Sequence, residues 1–392
     1  MTHKKSGVFH VIVNNMGGIT SLIQHLIIYK GDYSLEQSLI QLDIKGNLNT
    51  PAKLDDRINP IENQNIDSKN NWYYTYGKLA KKLSSEGGIL VSNDQYDLIM
   101  LQAFNIPKKV VQIVHDLYNL DLSIKYHDCI DVFIAHSLFI SDNLKRIFPH
   151  RIADIHFIPY GIPLYPSSTI SINETTPLKL LFLGRHTASK GIFDLIKINQ
   201  ILVEKCIYVD WIILGNGPDT VKFKKEWENV PNVSFSHPPT VSEVMNEIND
   251  CDILVLPTKF EGLPVAMLEA MSMGCIPIVS NLEGGIQELV EDNINGYKCT
   301  LDDNELFAEK IIYLHLNRMI LFQLKQNAQE KIYKYYNASI QMPKYQKLFL
   351  DLFENNSSPN HHSVSRKIGS RLDQFWIPNF ITRLFRKNIY VK

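Results

Sequence analysis

Ten short apolar runs, separated by stretches long enough for helices, constrain this chain more than any other feature. They fall at 8–13, 98–101, 110–114, 132–135 and 155–158, and then at 178–183, 209–214, 233–235, 253–256 and 276–279. Each is rich in Val, Ile or Leu and is bounded by Gly, Pro, Asn or Asp. Short continuous apolar runs suit strands buried on both faces of a parallel sheet, and the longer segments between them supply the crossover helices. Alternating β and α elements predict doubly wound α/β domains.

The runs form two series with a break between them. Pro159-Tyr160-Gly161-Ile162-Pro163, Pro166-Ser167-Ser168 and Asn173-Glu174-Thr175-Thr176-Pro177 are rich in turn residues, which marks 163–177 as a linker. A length of 392 residues also allows two domains at roughly 100–200 residues each. The expected fold is therefore a pair of Rossmann-like domains facing each other across a cleft. Open sheets of this kind bind ligands at the carboxyl ends of their strands. The expected boundaries are 1–165 for an acceptor-side domain, 176–354 for a donor-binding domain closed by a helical stretch from Asp303, and 355–392 for a basic aromatic tail. No repeat period runs along the chain, which excludes a solenoid.

Composition narrows the class. Apolar residues at 45% and charged residues at 21% are ordinary for a globular protein, and a net charge of -1 gives no bulk attraction to nucleic acid. The five cysteines are widely spaced with no C-x-x-C pair, which argues against a disulfide framework or a zinc site and for free thiols in a reducing compartment. The 8–13 run is too short for a signal-peptide core, and no stretch approaches the roughly 20 apolar residues that span a bilayer. The expected location is the cytoplasm.

The strongest chemical signal follows the run 253–256. It reads Pro257-Thr258-Lys259-Phe260-Glu261-Gly262-Leu263-Pro264-Val265-Ala266-Met267-Leu268-Glu269-Ala270-Met271. Pro264 suits the first position of a helix, and Gly274 suits its end. Glu261 then lies just ahead of the helix and Glu269 on its second turn, roughly 8 Å from the helix start at 1.5 Å per residue. Two carboxylates so placed, with the free N–H groups of Gly262 and Leu263 between them, can grip one elongated polar ligand. They could equally be dipole partners on a solvated surface.

A second signal, Gly184-Arg185-His186-Thr187-Ala188-Ser189-Lys190-Gly191, puts two cations between a strand and a helix. Arg185 can bind a phosphate through two donors and Lys190 acts as a point charge, a pattern that fits a diphosphate unless both are merely solvated. Asn14-Asn15-Met16-Gly17-Gly18-Ile19-Thr20 follows the first strand, where Gly17 and Gly18 let a ligand approach the backbone or simply make a turn. His115-Asp116 follows the run 110–114, and a lone histidine there is catalytic or structural. Leu214-Gly215-Asn216-Gly217-Pro218 lacks the third glycine of a dinucleotide fingerprint, which argues against NAD and leaves Asn216 as a donor-side contact. Asp250-Cys251-Asp252 has the spacing of a D-x-D metal motif but opens a strand, so Asp252 is read as a strand-start residue.

Together these residues resemble the family-four retaining glycosyltransferases of GT-B fold. The likeness runs from residue 7 to about 350. It includes Glu261 with Glu269, then Gly274-Cys275-Ile276-Pro277, Gly284-Gly285-Ile286-Gln287-Glu288-Leu289-Val290 and Asn295-Gly296-Tyr297. Thr258 departs from the serine of many members, a swap between small hydroxyls. The resemblance implies that Arg185 and Lys190 hold a donor diphosphate, with no metal or other cofactor, and that Glu269 accepts from ribose hydroxyls. It further implies that Glu261, Gly262 and Leu263 hold the donor sugar, that His115 approaches that sugar, and that Gly17 and Gly18 line the diphosphate and acceptor side. The implied partners are a nucleotide-sugar donor, UDP-linked rather than GDP-linked, and a glycan or lipid-linked acceptor in bacterial surface polysaccharide synthesis. A sugar-nucleotide epimerase or phosphorylase, and a non-catalytic transferase-like scaffold, are the alternatives.

The segment 363–392 carries seven Lys or Arg against one Asp, interleaved with Phe375, Trp376, Ile377, Phe380, Ile381, Leu384 and Phe385. It reads as a peripheral contact with an anionic membrane surface, or as a tail packed on its own protein.

Overall fold

A computed structural model describes residues 7–15, 17–33, 35–46, 51, 53–58, 60, 62–84, 87–166, 176–355 and 368–386. Met16, most of the expected linker (167–175) and two parts of the expected tail (356–367 and 387–392) lie outside the described residues.

The chain divides into two units. The first takes the described residues up to His136, Ile140–Ile158 and those from Met342 onward; the second takes Ser137–Phe139 and Pro159–Gln341. The first unit holds strands β1 (Val8–Val13), β2 (Gln37–Ile44), β3 (Glu62–Ile66), β4 (Ile89–Ser92), β5 (Lys109–Val114), β6 (Val132–Ala135) and β7 (Ile155–Phe157). The second holds β8 (Leu178–Leu183), β9 (Val209–Leu214), β10 (Val233–Ser236), β11 (Ile253–Leu256), β12 (Ile276–Ser280) and β13 (Tyr297–Cys299).

Every strand pairing is parallel, as the short apolar runs require. The strand orders are β3-β2-β1-β4-β5-β6-β7 and β10-β9-β8-β11-β12-β13. Val8 aligns with both Gln37 and Ile89, so β1 is central in its sheet; Ile253 aligns with both Leu180 and Ile276, so β11 is central in its own. The centres are fully apolar: Leu180, Leu181, Phe182, Ile253, Leu254 and Val255 are each 0% exposed. Each sheet reverses its order once, between β1 and β4 and between β8 and β11, which is the doubly wound plan expected of each half.

The structure corrects several expectations. The run 98–101 is not a strand but part of the helix Gln95–Ala103, whose first N–H is capped by the Asp94 carboxylate. A short apolar run fully buried in a helix has no periodicity to distinguish it from a strand. The strand that pairs with β1 and β5 is instead Ile89–Ser92, just before it. β2, β3 and β13 carry polar residues or are only three residues long, and were not among the expected strands; β3 (Glu-Asn-Gln-Asn-Ile) tolerates polarity because it is an edge. The helical stretch from Asp303 is three helices, Asn304–Leu316, Arg318–Tyr335 and Ala338–Glu354. The last does not simply close the donor-side domain: from Met342 onward it belongs to the first unit, where Tyr345 and Phe349 are 0% exposed.

Candidate functional site

Helix N-termini and loops collect at the carboxyl edge of a parallel sheet, because every strand there runs the same way. In the second unit three of these loops are joined by backbone. The Gly184 N–H donates to Leu214 O at 3.1 Å, His186 N–H to Asn216 O at 3.0 Å, and Asp219 N–H to His186 O at 3.1 Å. This closeness is why Gly215 and Gly217 are glycine. Gly215 has φ +133°, and a Cβ there would stand 1.9 Å from Gly184 O; at Gly217 it would stand 2.4 Å from His186 O. The glycines of this loop therefore serve contact between two backbones. Asn216, exposed, accepts at Oδ1 from Gly217 N–H at 2.8 Å and from the Thr220 hydroxyl at 2.9 Å. Its carbonyl caps its own loop, and its amide nitrogen is the half that can donate to a ligand.

Beneath Arg185, which is exposed, His186 is 1% exposed with Nδ1 3.0 Å from Thr220 Oγ1. Burial, helped by the charges of Lys224 and His237, lowers its pKa to about 4, so it forms a neutral floor to the loop.

The turn Ala188–Lys190 ends at Gly191, with φ +72°, and a Cβ there would stand 2.0 Å from Pro257 O. The loop after β8 thus lies directly on the loop after β11. The Lys259 N–H donates to Ser189 O at 2.8 Å, and the buried Thr258 hydroxyl stands 3.3 Å from the same oxygen. The result is that Lys190 Nζ and the Glu261 carboxylate, two residues singled out in the sequence, form an ion pair whose side chains are 26% and 13% exposed. Gly262 and Leu263 follow, and Gly285 lies against them: a Cβ on Gly285 would stand 2.7 Å from Gly262 O.

The helix after Leu263 spans Val265–Ser272. Pro264 is its N-cap in an extended conformation (ψ 112°) rather than its first helical residue, and Gly274 (φ +80°) follows its end. Glu269 is the fifth residue of the helix and half-buried, and burial pushes its carboxyl up to about 7. Asp252 lies at the other end of β11, accepting Lys179 N–H at 3.0 Å and the Lys325 ammonium at 2.8 Å, which is the strand-start role expected of it. Its partner in the D-x-D spacing, Asp250, pairs with Lys179 at 3.8 Å.

In the first unit, Gly17 is the N-cap of the helix Gly18–Ile28, which directly follows β1. Among the described residues, chain neighbours and its own helix aside, nothing lies within 4 Å of a Cβ built on Gly17, so their packing does not require glycine there. Asn14 bonds Asp43 at 2.7 Å and Thr20 bonds Asn15 O at 2.7 Å, which fixes the turn. His115 leaves β5 with Nε2 3.1 Å from Asn93 Oδ1, and its ring centroid is 5.1 Å from that of His136. Burial, then His136, holds its pKa well below the usual imidazole value, so it is neutral near pH 7. His136 lies 2.9 Å from the Tyr345 hydroxyl.

Asn93, His136 and Tyr345 were not foreseen. One sequence signal could have found the first: Asn93-Asp94 after β4 and His115-Asp116 after β5 are parallel pairs, each with an Asp that N-caps the next helix. Also unforeseen is a cavity of about 420 Å3 at the same edge, lined by Asn15, Lys45, Asp94, Tyr96 and Tyr118 among others.

Comparison with known proteins agrees with this architecture. Residues 168–335 match the family of glycosyl transferases group 1. The chain is 31% identical over 180 residues to WcaL of Escherichia coli (strain K12), a candidate colanic acid biosynthesis glycosyltransferase, covering 42% of this chain and 43% of that one. It is 30% identical over 114 residues to an Escherichia coli UDP-Gal:alpha-D-GlcNAc-diphosphoundecaprenol alpha-1,3-galactosyltransferase, covering 29% of each. It spans less than half the length of either relative. Among solved structures, Anabaena HepE in complex with UDP and glucose superposes with a TM-score of 0.69 at 16% identity, over 88% of this chain and 100% of that one. Residues 168–335 thus match the glycosyl transferases group 1, and the chain as a whole has the GT-B fold.

Proposed function

We propose that the chain is a metal-independent, retaining glycosyltransferase that moves a hexose from a nucleotide-diphosphate sugar, UDP-linked by preference, to a lipid-linked or glycan acceptor in bacterial surface polysaccharide synthesis. The observation that carries this reading is the joining of the Lys190 and Glu261 loops at the carboxyl edge of the second sheet. It sets a cation for phosphate beside a carboxylate for hydroxyls, with a second carboxylate, Glu269, on the helix that follows. The lipid-linked acceptor and the UDP preference draw support from the names of the galactosyltransferase and of the HepE complex.

In this reading Arg185 and Lys190 bind the diphosphate and stabilise its charge as it leaves, the part a metal plays in other transferases. Glu269 accepts from the ribose hydroxyls. Glu261, with the N–H groups of Gly262 and Leu263, orients the sugar. Asn216 donates through its amide, and Gly17 and Gly18 leave room for phosphate or acceptor. His115, neutral by burial, can give or take a hydrogen bond without charge. The acceptor oxygen bonds the anomeric carbon as the bond to the leaving phosphate breaks, and that phosphate takes the hydroxyl proton, so the α configuration is kept. The reaction takes place on the cytoplasmic side of a membrane. No helix among the described residues is long and apolar enough to cross one.

A thermal-shift panel with UDP, GDP, CMP and NAD, with and without EDTA, tests the reading. A ligand at 100 times its Kd adds about 2.7 kcal/mol, a shift of a few degrees. Stabilisation by UDP that survives EDTA is the expected result. Silence, or a response to NAD alone, would turn the reading toward a scaffold or another enzyme.

A further inference from the structure

The described end of the chain, 368–386, folds onto the first unit inside out. Its helix Asn379–Arg386 turns its polar side to the protein. Arg386 is 8% exposed and forms an ion pair with Asp373, 1% exposed, at 2.6 Å, and it also donates to Ser68 O at 3.0 Å. Asp373 takes the Trp72 N–H at 2.8 Å; Asn71 Nδ2 donates to Gln374 O and Ile377 O at 2.8 Å each; the Asn71 N–H donates to Asn379 Oδ1 at 2.8 Å. The buried Thr382 hydroxyl donates to Leu372 O at 3.1 Å.

The opposite arc of the helix is apolar and faces out. Phe380, Leu384 and Phe385 are 63–72% exposed. Phe375 and Trp376, from the turn before it, meet edge to face at 4.7 Å and are 78% and 64% exposed. A helix of eight residues is marginal in water by itself, so the polar contacts are what hold this apolar arc in place. Water would favour the reverse orientation.

We propose that this arc is a membrane-docking surface that lies in the interface of an anionic bilayer, aromatic side chains inserted and arginines at the headgroups. Exposed Phe380, Leu384 and Phe385 on one side of a short helix, with Phe375 and Trp376 in the turn before it, are what an interfacial anchor needs. The charge is complementary as well: Arg371 and Arg383 are exposed, and 363–392 carries seven Lys or Arg to one Asp. The helix Trp72–Leu83, whose start receives the tail, adds exposed Tyr74, Lys78 and Lys81 at intervals of four and three residues. A second copy of the chain could cover the same apolar side chains, but it would bring the exposed cations Arg371, Arg383, Lys78 and Lys81 against their own kind, whereas anionic lipid pairs with these four. The inference deepens the reading of a lipid-linked acceptor and rests on different residues.

The test is co-sedimentation of the full chain with phosphatidylcholine vesicles, with and without phosphatidylglycerol, in the absence of donor and acceptor. The comparison variant is Trp376→Ser, Phe380→Ser and Leu384→Ser together, three exposed sites, with folding checked by circular dichroism. The wild-type chain is expected to sediment with the anionic vesicles, less so at high salt, and the triple variant at least about tenfold less. A wild-type chain that stays in the supernatant, a triple variant that binds equally, or a concentration-dependent dimer lost in the triple variant would each overturn the proposal. None of these outcomes touches sugar transfer, which is assayed separately with a soluble acceptor.

Discussion

Lys190 and Glu261 are ion-paired across two loops that leave different strands, β8 and β11. In the proposed reading, the pair keeps a cation for the diphosphate and a carboxylate for the sugar hydroxyls in fixed relation before any ligand arrives. Lys190→Ala and Glu261→Ala should therefore each lower kcat by about 100- to 1,000-fold or more, the usual loss when a preorganised charge is removed from a transfer site. Stability should change by no more than about 1 kcal/mol, because the pair is partly exposed. Release of nucleotide diphosphate and thermal unfolding measure the two effects. Retained turnover in either variant would count heavily against a transferase.

Glu269 gives a pH signature. Its carboxyl titrates at about 7 instead of 4.5 because burial penalises the charged form. In the proposed reading, ribose hydroxyls donate to the ionised form, so UDP affinity should rise about tenfold from pH 6 to pH 8 and level off above. Stability of the free protein moves the other way. A carboxyl whose folded pKa is raised contributes fully below about 4.5 and loses that contribution as pH climbs to about 7. Glu269→Gln should flatten the affinity profile, which calorimetric titration at several pH values would show. An unchanged profile would remove Glu269 from the nucleotide site.

The second sheet was largely legible in the sequence. Its first five strands are mostly apolar runs that match the expected ones to within a residue, and only Tyr297–Cys299, three residues long, gave no signal. The first sheet was read less well. Gln37–Ile44 and Glu62–Ile66 mix polar and apolar residues, and the all-apolar 98–101 proved helical behind its Asp94 cap. Among the site residues, spacing along one strand–loop–helix unit placed Glu261 and Glu269. What spacing could not show was that Lys190 would meet Glu261, because that contact depends on two separate loops touching at Gly191 and Pro257. The tail hid its orientation for a similar reason. Its polar residues find partners near Asn71, some 300 positions away in sequence.

Gly191 and Gly17 should respond very differently to alanine. At Gly191 the left-handed φ of +72° and a Cβ 2.0 Å from Pro257 O strain any side chain. Gly191→Ala should cost about 2–4 kcal/mol and part Lys190 from Glu261, lowering turnover as well as stability. At Gly17 the φ of 168° is extended and nothing among the described residues beyond its neighbours crowds the Cβ, so Gly17→Ala should fold with a change below about 1 kcal/mol. Urea denaturation separates the two. If Gly17→Ala keeps its stability and loses turnover, the space above Gly17 belongs to a ligand.

Arg386 and Asp373 form the inner latch of the tail, at 2.6 Å with side chains 9% and 1% exposed. Arg386→Ala would leave the Asp373 carboxylate buried without its charge partner, which costs about 3–5 kcal/mol if nothing moves. The tail has a cheaper response. Few of its apolar groups are buried, Ile368 among them, so it can open locally while the sheet stays folded. Arg386→Ala should therefore leave the main thermal transition nearly unchanged, yet speed chymotryptic cleavage near Phe375, Trp376 and Phe380 by about tenfold or more. Replacing both partners, Arg386→Met with Asp373→Asn, should restore part of the protection, because no buried charge then remains to be solvated and the Asn oxygen still accepts the Trp72 N–H. Equal protease resistance in Arg386→Ala and the wild type would mean that the Asn71 contacts alone hold the tail.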